Sequence, residues 1–177
     1  MRIVFLEDRP LVITAAIKEL RNRNYETAAV FWFCDDSDEE DKGFQERVQT
    51  QYNEIGISLI QINKKNFKEQ LDNMYQTKDI VFFFDMDLSR DFSEYFEERI
   101  NVQYAMEKQV EADKNNEMFR IWFYTTGPIA AVAQIMNAFE DHYLPVLEFK
   151  AYERQVVFDY NYIEDTIAEE MEHHIHE

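Results

Sequence analysis

Acidic, hydroxyl and ammonium side chains stand directly after short apolar runs in this chain. Glu7 and Asp8 follow Ile3–Leu6, Asp85 and Asp87 follow Ile80–Phe84, Thr125 and Thr126 follow Phe119–Tyr124, and Lys150 follows Val146–Phe149. In parallel α/β sheets functional groups gather where strands end, at the carboxyl edge. If these runs are parallel strands, one sheet edge would therefore collect an acid pair, a third acid, a hydroxyl and an ammonium. Loop residues taken at random would not supply such a set.

Those groups can meet only if the runs are strands of one sheet. Ala28–Cys34 and Ile57–Ile62 are further apolar runs, and Val81-Phe82-Phe83-Phe84 is apolar throughout, as suits a strand covered on both faces. Segments of helical period lie between them. Ile13, Ala16, Ile17 and Leu20 share one stripe after Pro10, which suits a first helical turn. Phe44, Val48, Tyr52 and Ile55 mark a second helix, and Phe67, Leu71 and Met74 a third. Phe92, Phe96 and Ile100 open a long fourth, and Ile129, Val132, Ala133 and Met136 a fifth. A C-terminal helix over about 161–176 carries Ile163, Ile167, Met171 and Ile175. Alternation of this kind predicts a doubly wound α/β fold, with a mostly parallel sheet of five or six strands and helices on both faces. No Pro/Gly/Ser-rich linker divides residues 1–177, so a single domain is expected.

Composition removes several function classes. Lys+Arg of 18 against Asp+Glu of 36 gives a formal charge of −18, which repels nucleic-acid phosphates and anionic membranes. A divalent cation or a basic protein partner suits this surface better. No run approaches the roughly 20 apolar residues of a membrane span. Ile3–Leu6 is too short for a signal sequence and runs at once into Glu7-Asp8-Arg9-Pro10. The single cysteine, Cys34, allows no internal disulfide and no multi-thiolate zinc site, and a reducing cytoplasm is the simple expectation. With glycine only at 43, 56 and 127, no Gly-rich nucleotide-binding loop can be written.

In order, Ile3-Val4-Phe5-Leu6-Glu7-Asp8, Val81-Phe82-Phe83-Phe84-Asp85, Ile121-Trp122-Phe123-Tyr124-Thr125-Thr126 and Leu147-Glu148-Phe149-Lys150 resemble the motif strands of response-regulator receiver (CheY-like, flavodoxin-like) domains. The resemblance implies that Asp85 accepts a phosphoryl group from a histidine kinase or another signalling protein. It further implies that Glu7, Asp8 and Asp85 bind Mg2+, that Thr125 hydrogen-bonds a phosphoryl oxygen and that Lys150 pairs with another. A stand-alone receiver in a two-component phosphorelay would act through protein–protein contacts, a homodimer among them. The chain departs from the family where Ala151 replaces the usual proline after the lysine and where Leu147 replaces a frequent aromatic. It is also longer by a helix and a strand, read as an insertion at about 38–62.

Plainer roles exist for the same residues. Glu7 and Asp8 can cap the helix near Pro10, Thr125 or Thr126 can be a helix N-cap, and Lys150 depends on the register of its strand. The run Asp35–Asp41 suits a solvated loop and helix start. His173, His174 and His176 suit a mobile tail, and Cys34 suits a buried small residue. Two other functions stay open. One is a degenerate receiver-like scaffold that binds a basic protein without phosphotransfer. The other is a haloacid-dehalogenase-like phosphatase with Asp85 as nucleophile and Asp87 as general acid, although its motif normally opens a chain and the acid pair would then have no role. A signalling or binding domain is expected ahead of an enzyme.

Overall fold

A computed structural model describes residues 2–34, 42–86, 88, 99–124, 149–152, 155–158, 160 and 163–165. Strand β1 (Arg2–Glu7) leads through a 3-10 turn (Pro10–Ile13) into α1 (Thr14–Asn22) and β2 (Glu26–Phe33). Then come α2 (Lys42–Glu54), β3 (Leu59–Ile62), α3 (Phe67–Tyr75), β4 (Ile80–Asp85), α4 (Ile100–Asn115) and β5 (Ile121–Tyr124). Strands β6 (Phe149–Tyr152) and β7 (Gln155–Phe158) complete the described elements.

The first five strands form one parallel sheet in the order β3-β2-β1-β4-β5, a doubly wound α/β architecture. From β1 the chain moves outward to β2 and β3, then crosses back to β4 and β5. Right-handed crossovers put the helices of the two halves on opposite faces, and the core divides accordingly. Ile17 and Leu20 of α1 and Val48 and Tyr52 of α2 pack against Ile3, Phe5, Phe83 and Trp122. On the other face Phe67 and Leu71 of α3 and Val102 and Ala105 of α4 pack against Val4, Leu6, Phe84 and Phe123. Every residue of β4 is buried because both faces are covered. Each of its phenylalanines contributes about 1.5–3 kcal/mol by leaving water, and the Phe5 and Phe83 rings meet edge to face at 5.5 Å.

The helix and strand read as an insertion are α2 and β3. They extend the sheet outside β2, so the remaining order β2-β1-β4-β5 matches the first four strands of the 2-1-3-4-5 sheet. Helix α2 is tied to the carboxyl edge of the sheet, since the Tyr52 hydroxyl donates to the Pro10 carbonyl at 2.5 Å. Gly56 turns the chain between α2 and β3 at φ +67°, a left-handed conformation that only glycine adopts cheaply.

One expected strand needs correction. The run Val146–Phe149 was to end the parallel sheet with Lys150 at its edge. Instead Phe149 opens β6, which pairs antiparallel with β7, with Lys150 opposite Val157. Glu153 and Arg154 alone separate the two strands in sequence, a spacing that favours a hairpin and is too short for a parallel crossover. The sheet therefore has five strands among the described residues. Strand β7 runs alongside α1 and the 3-10 turn. Of the C-terminal helix, residues 163–165 are helical, and Ile163 is buried in the core of the α1 face. Phe92, Phe96, the fifth helix, the acidic run 35–41, the rest of 161–176 and the terminal histidines lie outside the described residues.

Candidate functional site

Sheet order reverses direction between β1 and β4, the switch point at which open α/β sheets bind ligands. Register decides which side chains meet there. Leu6 of β1 lies opposite Phe84 of β4, and Asp85 lies opposite Tyr124 of β5. The last residues of three neighbouring strands, Glu7, Asp85 and Tyr124, thus form one row. Strand alternation turns them to the same face as Phe5, Phe83 and Trp122, toward α1 and α2.

Glu7 and Asp85 are fully buried, and Asp8 is half-buried just beyond the strand. One carboxylate oxygen from each of the three lies within 4.8 Å of the others. Glu7 Oε1 accepts the Arg9 amide at 3.0 Å and Glu7 Oε2 accepts the Tyr124 hydroxyl at 2.8 Å. The Arg9 guanidinium leans back on Asp8, with Nε 3.4 Å from Oδ1. The main chain around the acids is also held. Trp32 Nε1 donates to the Asp8 carbonyl at 3.0 Å, and Asn101 Nδ2 donates to the carbonyls of Asp85 at 2.7 Å and Met86 at 3.3 Å. Arg99 Nη1 adds a bond to the Met86 carbonyl at 3.1 Å.

Burial, together with the charges of Asp85 and Asp8, pushes the Glu7 carboxyl well above the ordinary carboxylate range, against the Arg9 amide bond that favours the ion. Burial and the charge of Glu7 push the Tyr124 phenol up as well, so it stays a donor at neutral pH.

The donor set fits a hard divalent cation. Carboxylate oxygens are the ligands such ions prefer, and each keeps a lone pair beyond the hydrogen bond it accepts. With metal–oxygen distances of about 2.0–2.6 Å, oxygens on opposite sides of one ion stand roughly 4–5 Å apart, the scale of this cluster.

Sequence reasoning thus found the three acids that the fold brings together. Thr125, Thr126 and Asp87 lie outside the described residues. The Lys150 backbone sits in the β6–β7 hairpin, opposite Val157, and not in the parallel sheet. Cys34 is partly exposed at the end of β2, and its amide donates to the Ile62 carbonyl at 2.9 Å. Tyr124 and Asn101 were missed. Strand parity could have found Tyr124, which shares its face with Trp122 as Glu7 does with Phe5. Asn101 carries no such signal, since a polar residue in a first helical turn usually faces water. Comparison of the chain with protein-family models, with curated proteins and with solved structures finds no match in any of the three.

Proposed function

We propose that this chain is a receiver-like signalling domain in which Asp85 accepts a phosphoryl group, with Mg2+, from a partner histidine kinase. The carrying observation is that the neighbours Glu7 and Asp8 and the sequence-distant Asp85 bring oxygens within 4.8 Å at the switch point of the sheet. An Asp85 oxygen attacks phosphorus, the P–N bond of the donor phosphohistidine breaks, its electron pair returns to the imidazole nitrogen, and Asp85 becomes an acyl phosphate. Mg2+, when bound, offsets the charge of the carboxylates and the phosphoryl oxygens. In this reading Thr125, the residue after Tyr124 of β5, donates to the phosphoryl group, and Lys150 pairs with another of its oxygens. No helix among the described residues is long and apolar enough to cross a membrane. We place the domain in the cytoplasm, with output through protein contacts or a homodimer.

Full burial of Asp85 favours a second reading, a receiver-like scaffold that keeps the acid cluster and binds a protein partner without phosphotransfer. The phosphatase reading has less support, because it leaves Glu7 and Asp8 idle beside the nucleophile.

The test is intact mass after incubation with Mg2+ and a small phosphoryl donor such as phosphoramidate or acetyl phosphate. The receiver reading expects one added phosphoryl group on the wild type and none on Asp85→Asn. An unmodified wild type that still binds Mg2+ would establish the scaffold instead, and catalytic turnover of a phosphate ester would establish the phosphatase.

A further inference from the structure

We infer that Tyr124 is a positioning residue of the cation site, holding the Glu7 carboxylate in the one orientation that lets three acids share an ion; this rests on the cation-binding reading above. Tyr124 reaches across an entire strand. It ends β5 and Glu7 ends β1, with β4 and Asp85 between them, yet its hydroxyl lies 2.8 Å from Glu7 Oε2. The ring is fixed by burial and by an edge-to-face contact with Phe5 at 6.3 Å. With two rotatable bonds locked in this way, the phenol is a rigid donor aimed at a single point.

Glutamate, by contrast, has three side-chain torsions and can swing its carboxylate away from like charges. Asp85 and Asp8 supply that repulsion. The Tyr124 hydroxyl and the Arg9 amide hold Oε2 and Oε1 in opposition to it, one bond to each oxygen. Each oxygen retains a lone pair, so the hydrogen bonds orient the ligand without consuming it. Partners of this kind, which touch the ligand and not the metal, typically change metal affinity about 10–100-fold when removed.

The test is titration of the full chain with Mg2+, followed by heat of binding and by ultraviolet difference absorption of tyrosine. Tyr124→Phe keeps the ring and deletes the hydroxyl, and it is expected to weaken Mg2+ roughly 10-fold. Glu7→Gln should weaken it too, and the double variant should bind no worse than Glu7→Gln alone. In the wild type Mg2+ should perturb a buried tyrosine, a signal absent from both single variants and one that a purely structural tyrosine would not give. Tyr52, buried in the same cluster and exposed to the charge of Glu7, is the control: Tyr52→Phe should keep the signal, which assigns it to Tyr124 even if Tyr124→Phe folds poorly. Equal Mg2+ affinity in wild type and Tyr124→Phe, with no tyrosine signal, overturns the positioning role and leaves the cation site standing. A wild type that binds no Mg2+ overturns both.

Discussion

The side-chain amide of Asn101, in the first turn of α4, donates to the main-chain carbonyl of Asp85 at 2.7 Å. This bond joins the helix after the candidate phosphoacceptor to the acceptor's own backbone, and Asn101 is itself buried. Asn101→Ala should destabilise the fold by about 1–3 kcal/mol, the usual range when a buried hydrogen-bonded group loses its partner. Urea denaturation checks it, and a loss under 0.5 kcal/mol, roughly the level of a surface substitution, would show that water replaces the amide.

Removing charge from the cluster should separate stability from binding. Without metal, Asp85→Asn relieves repulsion on Glu7 and should raise the melting temperature. With Mg2+ at about 100 times Kd, the wild type should gain about 2.7 kcal/mol by mass action, roughly 5–10 °C for a chain of this size. The variant should gain almost none. A variant that loses stability without metal, or responds to Mg2+ like the wild type, would contradict the shared site.

The raised Glu7 carboxyl sets a pH dependence whose sign follows from linkage. Because the folded state holds this proton more tightly than the unfolded chain, stability falls as pH rises. The window opens at the ordinary carboxylate range and extends upward to the raised folded value. Glu7→Gln should flatten that slope against the wild type, and saturating Mg2+ should flatten it by favouring the ionised form. Denaturation at several pH values between about 5.5 and 8 measures both; parallel slopes in wild type and Glu7→Gln would refute it.

Arg120 provides a control at the opposite edge of the sheet. It is buried, donates to the carbonyls of Thr77 at 2.7 Å, Ile80 at 2.9 Å and Tyr75, and stacks on the Tyr75 ring at 4.2 Å. Arg120→Met should cost about 2–4 kcal/mol, since charged hydrogen bonds are worth about 1.5–3 kcal/mol and several buried carbonyls lose their donor. Mg2+ affinity of the folded fraction should not change, as titration calorimetry can verify. A tenfold loss of affinity would mean that the two edges are coupled through β4 and β5.

Trp32 should report on the site, because its indole donates to the Asp8 carbonyl at 3.0 Å. Cation binding is expected to change tryptophan emission in the wild type and not in Trp32→Phe, where Trp122 alone remains. An equal response in both proteins would assign the signal to Trp122.

Continuous apolar runs ending in acids determined, without a structure, that β1 and β4 exist and that Glu7, Asp8 and Asp85 stand at their carboxyl ends. A strand buried on both faces can tolerate almost no polar residue until it leaves the sheet, so its end is written in its composition. Helix α2 and strand β3 were legible for a similar reason, as a helical stripe through Val48 and Tyr52 followed by a short apolar strand. Apolar character says nothing of partners, however. The run around Phe149 reads equally well as a sheet strand or as half of a hairpin, and only its pairing with Gln155–Phe158 settled which. Tertiary structure alone likewise decided that Tyr124 reaches Glu7 and that Asn101 turns inward to Asp85. Both contacts depend on strand order and register, which arise when separate elements pack together and which no single segment encodes.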